Sequence, residues 1–409
     1  FFSAIGGLNA GGQTTETAFE WETYDLREAA QPAGIVEGAD APTAQSRARA
    51  NVSNVVQIHQ EAVSVSYSKL AAVGQKSGVN NEQRNPIRSE LDWQVEVMLK
   101  QMVRDIEVSF LTGTYQAPAN NSTGRKTRGL LTASTSNAMD VTGAALPPAT
   151  ATATTDLVNS TAHGRVVGDS VIFTALTGGA GLATQTPYYV VFKDANTFKV
   201  SGVKGGTPID ITTDASAATA YKLTALTVGN VEDILQRIYD AGGMDETSTI
   251  VTNSSQKRAL SAVYGAAYAK ASPVQGTVGG VAVTQLDTDF GRVNIMLDPF
   301  MPRHKLAVAQ LSQCRPVYLE VPGKGHFFAE PLAKTGAAEK VQLYGEVGLD
   351  YGNEMAHGVI TGLALCLNPA RAARHATPRG SGTTPTPRRC RGELATAGVH
   401  CGRRRVWPD

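Results

Sequence analysis

Few residues in this 409-residue chain have the types and spacing that chemistry needs. Its seven histidines are scattered, without the spacing of a metal-binding pair. Asp287 and Asp289 share the turn around Thr288-Asp289-Phe290-Gly291, where solvated turn acids are commoner than catalytic ones. Arg303-His304-Lys305 reads as a basic triplet meeting an acidic neighbour, or simply as a loop. His357 adjoins an apolar run, which favours a hydrogen-bonded structural imidazole over a ligand or a base. Gly178-Gly179-Ala180-Gly181 is glycine-rich but has no helix pattern after it, so a β-turn is expected, not a phosphate cradle. Neither a Gly-x-Ser-x-Gly elbow nor a Gly-x-x-x-x-Gly-Lys-Ser/Thr loop is present. Cys314, Cys366, Cys390 and Cys401 form no Cys-x-x-Cys and no Cys/His cluster, so neither zinc nor a disulfide framework is indicated. The expectation is a protein with no catalytic, cofactor-binding or metal-binding residues, assembled in a reducing cytoplasm.

The element that organises the chain is the stretch Asn85 to Gly113. Ile87, Leu91, Val95, Met98, Leu99, Met102, Val103, Ile106 and Phe110 recur at steps of three and four, one apolar face of a long helix. Asn85 suits the cap, Pro86 the first helical position and Gly113 a left-handed terminus. Glu96 and Lys100 pair on the outer face. At about 1.5 Å per residue the helix is on the order of 40 Å long, a spine.

Before it, Phe1 to Gly34 reads as irregular, with Phe19, Trp21 and Tyr24 interleaved with acids. It is an arm lying on another surface or a flexible terminus. Gly34 to Gly78 alternates as strands: Val56 and Ile58, then Val63, Val65 and Tyr67, with a change of phase near Glu61. It reads as a long hairpin with a break. After the helix, Ala144 to Thr155 has linker composition. Short runs at Val171–Phe173, Tyr188–Phe192, Thr197–Val200 and Ile209–Ile211 predict an inserted all-β unit. From Val228 the pattern is mixed: helices at Val231–Ala241 and from Ser254 or Ser255, and strands at Thr249–Thr252, Val281–Leu286, Val293–Leu297, Lys305–Leu311, Val317–Val321, Val341–Leu349 and His357–Leu367.

Charge is uneven. The stretch after Leu367 holds nine Arg, no Lys and two acids, which leaves 28 basic and 34 acidic residues before it, a net of −6. A mildly acidic body argues against a broad nucleic-acid-binding face. The basic end lacks hydrophobic periodicity and reads as a solvated tail, an electrostatic partner-seeker or an out-of-frame extension. No apolar run reaches the length of a membrane span, and Phe1 to Ala10 lacks the basic segment of a secretory signal.

Arm, hairpin, spine helix and mixed α/β region, in that order, resemble the major capsid proteins of tailed double-stranded DNA bacteriophages, the Hong Kong 97-type fold. Arg49-Ala50-Asn51 with Gln57-Ile58 and Val63-Ser64-Val65-Ser66 is similar to the hairpin of a capsid subfamily. Arg104-Asp105-Ile106-Glu107 with Leu111 and Gly113 resembles the end of its spine helix. Thr288-Asp289-Phe290-Gly291 with Met301-Pro302 resembles its middle strands. Glu346, Leu349, Asn353-Glu354 and Ala356-His357-Gly358 resemble its closing strands. The match runs from Phe19 to about Leu367, apart from the insertion. The insertion itself, with His163-Gly164, Val167-Gly168-Asp169 and Asp194-Ala195-Asn196-Thr197-Phe198, resembles small β modules of phage structural proteins.

The resemblance implies an α+β phage capsid fold. Residues 1–34 form the N-terminal arm, 35–80 an extended hairpin loop, and 81–145 the spine helix and peripheral domain. Residues 146–226 form an inserted β subdomain, 227–367 the axial domain and returning peripheral strands, and 368–409 a basic low-complexity tail. It further implies a major capsid subunit that self-assembles as hexamers and pentamers into an icosahedral shell. The shell would enclose double-stranded DNA without sequence-specific binding, with decoration, portal and scaffolding proteins as further partners. It would assemble in the bacterial host cytoplasm and reside in the virion. Closed rings need two different, complementary faces. The intersubunit contacts expected on this basis are Phe19, Trp21 and Tyr24 in the arm and Arg47, Arg49 and Gln57 in the hairpin, against local packing as the bland reading. An encapsulin-type compartment and a phage tail or adhesion protein are the alternatives.

Overall fold

The computed structural model describes residues 1–24, 31, 34–41, 43, 46, 49–71, 89–120, 122–244, 248–271, 285–333 and 336–365. One compact unit spans Phe1–Leu367. The basic end, residues 368–409, lies outside the described residues, as do Asn85, Pro86 and Arg47.

The spine helix runs Glu90–Thr112. Ser89 caps it, its Oγ accepting from Asp92 N at 3.3 Å, so Ser89 holds the capping place that the sequence suggested for Asn85. Burial deepens along the helix: Met102, Ile106, Phe110 and Leu111 are fully enclosed, while Val95, Met98 and Leu99 are partly buried. Gly113 is not left-handed; its φ is −54°. Its glycine is required by proximity instead, because a Cβ would lie 2.3 Å from Ser109 O and 2.5 Å from Thr127 O.

Beneath the helix lies a sheet built on the strand Ala338–Asp350. One edge of that strand pairs antiparallel with Gln57–Ser66 over its whole length. The other pairs with Arg315–Leu319 and then Phe327–Pro331, two strands laid end to end. Gly12–Thr14 adds in parallel outside Arg315–Leu319.

Among the described residues of the expected hairpin, the two strands do not pair with each other. Ala50–Val55 pairs with Ala18–Thr23 as a two-stranded ribbon, whereas Gln57–Ser66 joins the sheet. The phase change expected near Glu61 falls at Val56, between these strands. Inside Gln57–Ser66 the odd positions face inward throughout, with His59, Val63 and Val65 buried and Ile58 exposed. A histidine on the inward face and an isoleucine on the outward one disguised the period. The arm also differs from expectation: Phe1, Phe2 and Ile5 are buried in the core of the spine helix, with Phe2 edge-on to Phe110 at 5.3 Å.

A second, six-stranded sheet takes Gln285–Thr288, Gly291–Leu297, Ser248–Thr252, Leu306–Gln310, Gly358–Thr361 and Ala138–Asp140, in that order across it. The helix Val228–Asp240, with a capping box from Thr227 and Asn230, buries Val231, Ile234, Leu235 and Ile238 against it. Fully burying side chains of this size is worth roughly 1.5–3 kcal/mol each.

Inserted in the chain between Ala138–Asp140 and the helix Val228–Asp240 is a closed barrel of Ala149–Thr152, Leu157–Ser160, Ser170–Gly178, Pro187–Lys193, Thr197–Ser201 and Ala215–Lys222. Its core holds Val158, Phe173, Tyr188, Phe198 and Ile211. Two departures from the sequence reading share one cause. The supposed linker contains a strand with Ala149 and Ala151 buried, and Ala215–Lys222 is an alanine-rich strand. Small residues inside a narrow barrel carry no β signal of their own. Ile209–Ile211 is not a strand, although Ile211 fills the core. The chain enters and leaves the barrel side by side: Gly143 N donates to Lys222 O at 2.8 Å and Leu146 N to Ala220 O at 2.8 Å.

Two outcomes test this packing. Met102→Asp puts an unpaired charge into the core of the spine helix, at a cost on the order of 3–5 kcal/mol. Thermal unfolding of the subunit should fall by roughly 10 °C; an unchanged transition would mean that this face is not in the core. Replacing 146–221 with a short Gly/Ser link should leave the rest folded, because loop closure costs grow slowly and the ends already touch. Loss of the folded far- and near-ultraviolet dichroism would show that the barrel belongs to the main core.

Candidate assembly interface

Among the described residues no group of three or more His, Cys, Asp or Glu is placed to hold a metal. The residues that could matter are those that fix surfaces. The two-stranded ribbon is the first. Phe19 lies against the sheet at Gly348, where a Cβ would come within 2.6 Å of the ring, and it stacks on Trp21 at 5.8 Å. Trp21 meets Tyr351 edge-on at 4.9 Å and donates from Nε1 to Gly352 O at 2.9 Å. Arg49 pairs with Glu22 across the ribbon, both largely exposed. Gln57 accepts from Thr127 N through Oε1 at 3.2 Å. These four expected contact residues have partners within their own chain. Tyr24 is 65% exposed and free to meet another surface.

Sequence reading missed the clasp that ties the ribbon down. Asn54, fully buried, donates from Nδ2 to Leu349 O at 2.7 Å and to Arg128 O at 3.2 Å. Its Oδ1 accepts from Arg128 N at 2.8 Å and Val55 N at 2.9 Å. Thr127 Oγ1 accepts from Leu349 N at 3.2 Å. The one signal was a polar Asn inside the run Val52-Ser53-Asn54-Val55-Val56. Beside the clasp, Arg128 stacks on Tyr115 at 4.6 Å and donates to Tyr351 Oη at 3.2 Å, on the wall of a 490 Å³ cleft. Arg125 and Glu346 form a half-buried pair at 2.8 Å, with Tyr344 Oη donating to the same carboxylate at 2.6 Å. In the second sheet, Asp287 pairs with Arg292 at 2.9 Å in the open, as a solvated turn acid does.

Four of the described histidines are buried; His163 lies in the barrel, and His59, His304 and His357 lie in the rest of the fold. His357 Nδ1 accepts from Gln310 N at 3.1 Å, so its proton sits on Nε2, which donates to Tyr351 O at 2.7 Å. It joins the end of a second-sheet strand to the end of the first sheet's long strand, the structural role its sequence context suggested. Burial holds its pKa below the ordinary value. Burial likewise lowers His59, beneath the spine helix, to about 4, against a small opposing pull from Asp105. His304 is lowered to about 4 by burial and by Lys305. Glu107, on the buried face of the spine helix, is pushed up to about 7 by burial and by its hydrogen bond with Asp298.

A long helix over a sheet, a ribbon clasped to it, a second sheet with its own helices and an inserted barrel together form the α+β fold of phage capsid subunits, proteins that build shells. The chain belongs to the SU10 major capsid protein family, whose model matches residues 1–364. It is thus a structural, shell-forming protein that assembles with copies of itself, and its place is the virion capsid. Among solved structures it is similar to the cyanophage A-1(L) capsid subunit, at 12% identity and a TM-score of 0.48 over 86% of this chain and 90% of that one. It is similar to a solved structure from Mycobacterium phage Cain at 9% identity and a TM-score of 0.44, over 88% of this chain and 89% of that one. The SrpI encapsulin of Synechococcus elongatus is matched at 8% identity and 0.37, over 86% and 84%. At these scores the likenesses add nothing to the family match. No curated protein matches the chain.

His59, His304 and His357 set a pH dependence. Their pKa values are depressed on folding, so the unfolded chain binds more protons between about pH 6.5 and 4. Stability is full above about pH 6.5 and is lost as the pH falls toward 4. At about 1.4 kcal/mol per pKa unit, His59 and His304 each contribute on the order of 3 kcal/mol to that loss. Urea unfolding of the subunit at pH 7 and pH 4.5 should show it, and His304→Phe should shrink the difference. Glu107, raised to about 7, takes up its proton in the folded state over the same range and opposes this loss, so the comparison is between parent and variant: an undiminished difference in His304→Phe would refute the burial of that ring.

Proposed function

We propose that copies of this chain form hexamers and pentamers that close into an icosahedral shell around double-stranded DNA. The family match over residues 1–364 carries this reading. The net of −6 before the basic end supports enclosure over binding, since an acidic wall repels phosphates and reads no sequence. Assembly in the host cytoplasm fits a buried, unpaired Cys314. Decoration, portal and scaffolding proteins are the further partners this role calls for. On this reading the helix-covered long-strand sheet is the peripheral domain, the six-stranded sheet the axial domain and the barrel the insertion.

Within the proposed interface the six residues divide by what they touch. Tyr24, exposed at the end of the ribbon, is the direct contact. Phe19, Trp21 and Gln57 act indirectly, by seating the ribbon on its own sheet. Arg49 is engaged with Glu22 and would exchange that exposed pair, worth about 0–1 kcal/mol, for a neighbour's carboxylate. Arg47 completes the proposal from outside the described residues.

Electron microscopy of purified particles with a nuclease-protection assay tests the function. Closed shells containing protected double-stranded DNA are expected. Shells filled with a protein cargo would indicate an encapsulin-type compartment, and absence of shells would sink both. Tyr24→Ser should lower shell yield several-fold while leaving subunit unfolding unchanged; an undiminished yield would remove Tyr24 from the interface.

A further inference from the structure

The barrel carries an apolar surface that its own core does not need. Val166, Val167, Phe192 and Val203 are 52%, 59%, 48% and 68% exposed, although the interior is already filled by Phe173, Tyr188 and Phe198. Hydrogen bonds place the four together. His163 Nε2 lies 2.9 Å from Asp194 O, and Gly168 N donates to Val190 O at 2.8 Å. The Val166–Val167 corner therefore runs beside the stretch of strand between Val190 and Asp194, which holds Phe192. Gly168 in turn abuts Lys204, whose Cε would lie 3.8 Å from a Cβ there, so Val203 stands next in line. Contiguous exposed apolar groups on a soluble fold mark an interaction surface.

The rim is basic. Arg165, Lys193, Lys199 and Lys204 surround the patch, and among the described residues none has an ion-pair partner. Arg165 Nη1 is enclosed by its own chain and its Nε donates to His163 O at 2.9 Å, so Lys193, Lys199 and Lys204 are the rim cations that can reach a partner. Of the nearby acids, Asp169 pairs with Lys222 at 3.5 Å, and Asp194 Oδ1 accepts from Ala195 N at 2.8 Å. Four cations facing four cations would repel, so two barrels do not meet through this wall. The barrel segment 146–226 holds five basic and five acidic residues, so the net of −6 before the basic end belongs to the rest of the chain. In a shell of many copies, that acidic body is the nearest complementary surface.

We propose that the Val166, Val167, Phe192 and Val203 wall docks onto an acidic surface of a neighbouring copy, outside that copy's barrel, with Lys199 and Lys204 pairing to its carboxylates. This rests on the shell role and adds a heterologous contact made by the insertion. To test it, Phe192 is replaced by the photo-cross-linking residue p-benzoylphenylalanine, and shells are formed from light and heavy-nitrogen subunits mixed in equal amounts. Irradiation should join the barrel to peptides outside 146–226, and a share of the pairs should carry both labels. Lys199→Glu with Lys204→Glu should cut that yield several-fold without moving the unfolding transition of the isolated subunit. Intact shells with no mixed-label pairs, with barrel-to-barrel pairs only, or with cross-links to a different protein would overturn the docking and leave the shell role standing. Failure of the unmodified chain to form shells would overturn both.

Discussion

Everything in the larger part of this fold depends on one strand being paired on both edges. Ala338–Asp350 takes Gln57–Ser66 along one side and two successive strands, Arg315–Leu319 and Phe327–Pro331, along the other. A thirteen-residue strand satisfied in this way is a rigid beam. Its inward face, with Leu343, Val347 and Leu349, is what the spine helix covers. The N-terminal residues Phe1, Phe2 and Ile5 pack into the same cluster. Distant parts of the sequence are thus held in one register by main-chain bonds, and the apolar layer above fixes which face is inward.

Buried polar groups then set how the parts are joined. Asn54 has its amide donors and its carbonyl oxygen engaged and fastens the ribbon to both the sheet and the Arg125–Arg128 segment. His357 does the same between the two sheets, through Gln310 and Tyr351. A fully satisfied buried amide or neutral imidazole contributes about 1 kcal/mol per hydrogen bond, yet losing one partner costs more than that. These joints therefore specify one arrangement of layers more than they add stability. For a subunit repeated across a closed shell, uniform joints matter, since an angular error in one copy propagates to its neighbours.

Membership of a capsid family fits a chain whose functional chemistry is contact. The exposed groups that stand out are the end of the ribbon at Tyr24 and the apolar wall of the barrel, while Phe19 and Trp21 serve their own subunit. The six-stranded sheet carries a further concavity, of about 880 Å³, where Tyr239 and Phe290 stack at 5.6 Å near the Asp287–Arg292 pair. Spreading contacts over separate elements suits assembly, where many weak interfaces must form without trapping a wrong one.

The amino-acid sequence by itself determined the long helix, because nine apolar residues at steps of three and four allow no other period. It also determined the helix at Val228–Asp240 and most strands of the six-stranded sheet, where β-branched runs lie between turn residues. The order of elements was enough to show the family resemblance. Tertiary structure decided the rest. Ala50–Val55 and Gln57–Ser66 are adjacent in sequence and look like a hairpin, but their partners lie 27 and 290 positions away, Ala50 facing Thr23 and Gln57 facing Val347. Strand pairing is a long-range choice that local alternation cannot express. The alanine-lined strands of the barrel were hidden because a small side chain signals burial only once its neighbours are known. Exposure of the described members of the proposed contact set was decided the same way: Trp21 and Tyr24 are equally aromatic, yet Trp21 donates to Gly352 O of its own chain while Tyr24 stays in solvent.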